Sequence, residues 1–311
     1  MQYNHMSLLT MAAVLLVQQL QIIAAAPCYP AIFVFGDSLS DTGNGVLSAN
    51  PIFLRTAQRP YGETVPGNPD KRFSDGRLLV DFLATRVGLP LVKPSLDQTL
   101  DQTANFNTGA NYAVSGATAE RASTRFILPL TRLSLDVQVT WHLALKASTL
   151  TLQKPSADAF NNGLYVLEIG DNDYRGALTA IIPTPPATII SSIVPAVISK
   201  IRNATEVLYA SGARKFLYIS IPLLGCSPSL LSPNPTLPKD NNGCIIDFNT
   251  VSNAHGAQLL ALVNDLRSLH PDATFTLLNY NGAYTQVLTN SASLGKHSIS
   301  QFTLRAVFNC A

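Results

Sequence analysis

The chain has 311 residues, of which 47 % are hydrophobic and only 13 % charged, about half the charged share of ~25 % that is usual. That composition excludes an intrinsically disordered chain, and 21 basic against 19 acidic side chains are too evenly balanced to argue for nucleic-acid binding. Four cysteines in this length exclude a small disulfide scaffold and leave room for one or two bridges.

Residues 1–26 contain no Lys, Arg, Asp or Glu. Leu8 to Val17 is an apolar block interrupted only by Thr10, and small residues Ala24, Ala25 and Ala26 follow. The block is shorter than the ~20 residues that span a bilayer, so 1–26 is expected to be a secretory signal peptide, with an uncleaved membrane anchor as the alternative. No stable membrane insertion is expected. Residues 27–311 then form one domain, and secretion to the extracellular space makes three other features coherent. Asn203-Ala204-Thr205 is a glycosylation acceptor triplet at Asn203. Cys226 and Cys244 flank a Pro- and Asn-rich loop and are disulfide candidates. Cys28 and Cys310, near the two ends, are a second possible pair, though spacing cannot choose among three connectivities.

In chain order, Ala31 to Phe35 is an apolar run ending at Gly36 and predicts a buried parallel strand. Residues 48–75 are rich in Pro, Gly and Asn and predict a long loop. Gly76 to Val87 carries a helical apolar stripe. Asn111 to Val114 predicts a short strand, Leu133 to Leu145 a helix, and Leu164 to Ile169 a strong strand ending at Gly170. Ile189 to Tyr209 predicts a helix stopped by Ser211-Gly212. Lys215 to Ile221 predicts a strand, Cys244 to Leu269 a long helix, Ala273 to Leu278 a strand, and a short helix follows from Gly282. Strands alternating with helices specify an α/β chain with a parallel sheet covered on both faces, whose ligands sit beyond the carboxyl ends of the strands. Three strand ends carry unusual residues: Gly36-Asp37-Ser38, Ser115-Gly116 and Gly170-Asp171-Asn172-Asp173.

A serine just past a strand can be held on a tight turn with its hydroxyl exposed, which is how a nucleophile is presented to a carbonyl. Plain helix capping by Asp37 or Ser38 would explain the same three residues. The longer string from Gly36 to Asn44 is more specific. It resembles the signature of the GDSL esterase/lipase family of SGNH hydrolases, in its plant-type branch. The resemblance extends over Arg72 to Arg77 with Asp81 to Ala84, over Gly109 to Thr118, over Ser134 to Val139 and over Leu167 to Tyr174. It continues through Pro222 to Pro228, Gly243-Cys244 and Phe248-Asn249, and covers residues 31 to about 309.

The resemblance implies a three-layer α/β/α, flavodoxin-like fold and a secreted carboxylic ester hydrolase with Ser38 as nucleophile. It implies an oxyanion hole from the backbone N–H of Ser38, the backbone N–H of Gly116 and the side-chain amide of Asn172, such donors being worth ~3 to 4 kcal/mol each. Asp37, Asp171 and Asp173, which flank these residues, are taken as substrate-binding. The substrate would be a small-molecule, lipid or polysaccharide ester. Serine hydrolysis needs no cofactor, and the scattered histidines and unpaired cysteine spacing give no metal constellation.

The family draws its base from a C-terminal Asp-x-x-His. None of His5, His142, His255, His270 and His297 has an aspartate three residues before it. The expectation is therefore a domain lacking its last C-terminal element and a poor esterase. The alternative is a non-catalytic ester- or carbohydrate-binding protein on the same fold.

Overall fold

The structure, a computed structural model, describes residues 27–64, 71–97, 104–120, 131–148 and 153–290. The leader, Cys310 with its possible bond to Cys28, His297 and any last C-terminal element lie outside these residues.

Five strands form one parallel sheet: β1 (Ile32–Gly36), β2 (Gly109–Asn111), β3 (Leu164–Glu168), β4 (Lys215–Ile219) and β5 (Thr274–Leu278). Their spatial order is β2-β1-β3-β4-β5, the doubly wound order that reverses direction between β1 and β3. Register pairs Gly36 at the end of β1 with Glu168 at the end of β3. Every residue of β1 and β3 is buried, as a strand covered on both faces requires.

Alternation along the strands divides the core in two. Phe33, Phe35, Tyr165, Leu167, Phe216, Tyr218 and Phe275 point to one face. There they pack against α3 (Leu135–Ala147), α6 (Val194–Ala210) and α7 (Ile246–Leu269). Ile32, Val34, Leu164, Val166, Leu217, Ile219 and Leu278 point to the other, against α2 (Leu79–Arg86). Aromatic residues thus fill one side and aliphatic residues the other, and the three-layer α/β/α architecture follows. Shorter helices α1 (Asn44–Leu47), α4 (Ala157–Asn162) and α5 (Asp171–Leu178) stand between the larger elements, and α8 (Tyr280–Thr289) follows β5.

The boundaries depart from expectation in several places, four of which have a local cause. The second strand is Gly109–Asn111 rather than 111–114. Tyr112 and Val114 still donate to Val34 and Gly36 of β1, but the N–H of Ala113 turns back to the Asn111 side chain at 2.8 Å. The stretch from Ile189 begins as a wide turn over Ile189–Ile193, and the regular helix starts only at Val194, where Pro195 lacks an N–H to extend the ladder backwards. The helix read from Gly76 starts at Leu79, because Asp81 accepts the Leu78 N–H at 2.9 Å and fixes the first turn there. Gly170 to Asp173, read as a loop, is the cap and first turn of α5. Cys226 and Cys244 form a disulfide across the intervening loop.

Candidate active site

The reversal of strand order at β1 and β3 opens the crevice where such sheets bind ligands, and the three singled-out strand ends are neighbours there. Side-chain hydrogen bonds stitch them together. Asp41, fully buried after β1, accepts the N–H groups of Gly43 and Asn44 on Oδ1, both at 2.7 Å. Its Oδ2 accepts the Gly45 N–H at 2.9 Å and reaches the β2 end, taking the N–H and the hydroxyl of Ser115 at 2.7 and 2.8 Å. Asn44 donates to the carbonyls of Asn111 and Ala113, each at 2.8 Å, and Asn111 donates back to the Ser40 carbonyl at 2.6 Å. Ser40 donates to Glu168 Oε2 at 3.1 Å, tying β1 to β3. Asn172 Nδ2 donates to the Ala117 carbonyl at 2.9 Å, tying β3 to β2.

The proposed reacting groups sit within this frame. Ser38 and Asn172 are half-buried and Gly116 is buried. Gly116 has φ of 79°, a left-handed conformation that a side chain would resist. Among the described residues, neither the hydroxyl nor the N–H of Ser38 has a hydrogen-bond partner, and the Gly116 N–H has none. One amide hydrogen of Asn172 is used on Ala117, which fixes the plane of the group and leaves the second hydrogen without a partner among the described residues.

The flanking carboxylates face inward. Asp37 is fully buried: its Oδ1 accepts the Leu39 N–H at 3.0 Å, and its Oδ2 has no partner among the described residues. Burial, then the nearby carboxylates Glu168 and Asp171, push its carboxyl well above the usual range, against the pull of the Leu39 N–H. Asp171 pairs with Arg175, whose guanidinium lies 2.9 Å from Oδ2 and also donates to Ser227 and Ser229. Asp173 accepts the N–H groups of Ala119 and Glu120 at 2.9 and 3.3 Å, and burial pushes it up to about 7 in spite of them. Glu168 is pushed up to about 8 by burial and by Asp171, with the Ser40 bond opposing. Asp171 and Asp173 thus hold backbone and side-chain groups of the protein itself.

Within the nine residues from Gly36 to Asn44 the sequence pointed to Ser38 and Asp37, and left Asp41 and Asn44 without a role. Asp41, Asn44, Asn111, Gln138 and Glu168 are the framework. The available signal was polarity at positions where a buried α/β strand end would otherwise be apolar.

The three described histidines have other partners. His142 lies between the hydroxyls of Tyr112 and Tyr165 at 3.3 and 3.4 Å, and burial lowers it to about 3. His255 bonds the Tyr174 hydroxyl at 2.8 Å through Nδ1, its Nε2 has no partner among the described residues, and burial lowers it to about 4. His270 pairs with Glu206 at 3.0 Å, beside the entry to β5. Among the described residues no group of three metal-ligating side chains forms, and no helix is long and apolar enough to cross a membrane.

The pattern of the family described as GDSL-like Lipase/Acylhydrolase matches residues 32–298. Acetylajmalan esterase 2 of Rauvolfia serpentina is 34 % identical over 282 residues, which cover 88 % of this chain and 75 % of that protein. A second Rauvolfia serpentina protein, acetylajmalan esterase, is 31 % identical over 281 residues, covering 88 % of this chain and 70 % of its own length. The GDSL esterase/lipase ACHE of Zea mays is 32 % identical over 281 residues, covering 86 % of this chain and 68 % of its own length. The chain therefore belongs to the GDSL lipase/acylhydrolase family of carboxylic ester hydrolases.

Proposed function

We propose that this chain carries a serine esterase site in which Ser38 Oγ attacks the carbonyl carbon of a small-molecule ester. The tetrahedral oxyanion would be held by the backbone N–H groups of Ser38 and Gly116 and by the second amide hydrogen of Asn172. The observation that carries this reading is the set of unengaged donors at the β1/β3 switch point. The N–H groups of Ser38 and Gly116 are unpaired among the described residues, while Asp41, Asn44, Ser115 and Asn172 beside them are held by hydrogen bonds. Buried or half-buried donors normally find a partner, so idle ones at a strand-end crevice call for an acceptor brought by a ligand. Asp37, Asp171 and Asp173, taken from sequence as substrate-binding, act in this reading through the loops they brace.

Attack by Ser38 requires a group to accept its proton, and no described histidine hydrogen-bonds its hydroxyl. Removing the base of a serine triad costs ~10⁶ in kcat, while an intact oxyanion hole retains ~10³ to 10⁴ over water. We therefore expect slow turnover from the 311-residue chain, in which no histidine has an aspartate three residues before it.

The relatives named as acetylajmalan esterases favour a short acyl group, with lipid and polysaccharide esters as wider candidates. The apolar leader, the Cys226–Cys244 disulfide and the exposed Asn203 on α6 support a secreted, glycosylated protein. Hydrolysis of p-nitrophenyl acetate by the 311-residue chain tests the reading. Turnover lowered about 10²-fold or more in Asn172→Ala is expected. Turnover unchanged in that variant would remove the oxyanion assignment. A tight ester ligand with no turnover would favour the binding-protein alternative.

A further inference from the structure

A cavity of about 230 Å³ opens beside the nucleophile loop, between the ends of β3, β4 and β5 and the start of α2. Leu39, Leu78, Leu79, Ile219 and the ring of Tyr280 form its apolar walls, and Ser74 and the exposed Arg77 stand among its polar lining. Two buried polar groups interrupt it, Ser40 and Glu168, each 2 % exposed. Glu168 Oε2 accepts the Ser40 hydroxyl, but Oε1 has no hydrogen-bond partner among the described residues. A buried carboxyl oxygen without a partner is costly, and the residue that carries this one borders the cavity. A dry cavity of about 150 Å³ holds benzene, so this one holds a single six-membered ring with a substituent.

We propose that this cavity is a subsite for one ring of the ester, and that Glu168 selects rings bearing a hydroxyl group. The inference rests on the esterase reading for its place in catalysis, because Leu39 and Ser40 directly follow Ser38, but ring binding itself does not require turnover. The apolar walls cover the ring, and Glu168 Oε1 hydrogen-bonds the hydroxyl. A ring of equal size without that group leaves the oxygen unpaired, and such sites discriminate strongly against the analogue lacking the polar group. Burial holds Glu168 largely protonated near neutral pH, so the carboxyl both donates and accepts and does not demand a cation.

Calorimetric titration of the whole chain with phenol and with fluorobenzene, rings of similar size, tests this directly. The wild type is expected to bind phenol about tenfold tighter or more. Glu168→Gln, which keeps hydrogen-bonding capacity, is expected to preserve the preference, and Glu168→Leu to reduce it to about unity. Ser74→Trp, at a half-buried position lining the cavity, is expected to weaken both ligands together, with its fold checked by circular dichroism. Equal affinity for the two rings in the wild type, or undiminished phenol binding in Ser74→Trp, would overturn the proposal. Ser38→Ala separates the two readings. Loss of p-nitrophenyl acetate turnover with the phenol preference kept supports both. Full turnover in Ser38→Ala with the preference kept overturns the esterase assignment and leaves the ring site standing.

Discussion

Ser115 gives both its N–H and its hydroxyl to a single oxygen of Asp41, at 2.7 and 2.8 Å. That oxygen joins the loop carrying Ser38 to the loop carrying Gly116, while the other oxygen of Asp41 caps Gly43 and Asn44. A carboxylate suits this position because it accepts on both oxygens and donates on neither.

Asp41→Asn should therefore be damaging despite its equal size. It would turn an NH₂ group toward one set of N–H donors and leave them unpaired in a buried site. A loss of about 3 kcal/mol in urea unfolding is expected, with a parallel fall in ester turnover. A loss below about 1 kcal/mol would mean that the loops are held by something else.

Arg72 and Asp81 form a fully buried pair, with Nε to Oδ2 at 2.8 Å and Nη2 to Oδ1 at 2.7 Å. The pair clamps the segment before α2 onto the helix, and Asp81 also accepts the Leu78 N–H. Removing one partner strands the other charge away from water. Arg72→Met should cost about 3 to 5 kcal/mol, measured by chemical denaturation, and Arg72→Met with Asp81→Leu should recover part of it.

At Gly36 a Cβ would lie 2.4 Å from the Glu168 carbonyl oxygen, inside the β1–β3 ladder. Gln138 closes the same spot from above, accepting the Gly36 N–H and donating to its carbonyl, both at 2.9 Å. Gly36→Ala has no room on either side. It should cost about 1 to 3 kcal/mol and shift the end of β1, read as a lower melting temperature and reduced turnover.

Stability should fall as pH rises from about 6.5 to 8. Glu168 is raised from 4.5 to about 8 and Asp173 from 3.8 to about 7, so the folded chain keeps protons that the unfolded chain has released. Asp37 and Asp41 are raised too and act in the same direction. Below pH 6.5 this is offset by His142 and His255, lowered from 6.5 to about 3 and about 4, which bind protons only on unfolding and make stability rise with pH. Above 6.5 the histidines no longer contribute and the carboxyl groups decide the slope. A decline of about 2 kcal/mol across that window is expected, most of it absent in Glu168→Gln. Stability flat or rising over the window in the wild type would contradict the burial of Glu168.

The strands and the large helices were legible because apolar runs and helical stripes are long-range, redundant signals. Ala31 to Phe35 and Leu164 to Ile169 could hardly be anything but buried strands. Helix α5 was not legible, since Asp171 to Leu178 reads as turn residues: its polar side chains serve the loops beside it, as Asp173 does for Ala119 and Glu120. Nor was the division of labour among polar residues legible. Asp37, Asp41 and Ser38 are near neighbours in one string, and only three-dimensional pairing separates the fully bonded Asp41 from the unengaged Ser38. Asn44 and Gln138 contact partners 67 and 102 residues away, a distance no local pattern encodes.

The central claim is that the Ser38 hydroxyl is the nucleophile and faces unpaired donors. Labelling of the 311-residue chain with a fluorophosphonate probe tests it without presuming a substrate. The account predicts an adduct on Ser38 that forms slowly, more slowly still in Asn172→Ala and not at all in Ser38→Ala. No adduct in the folded wild type, or equal labelling in Ser38→Ala, would contradict it.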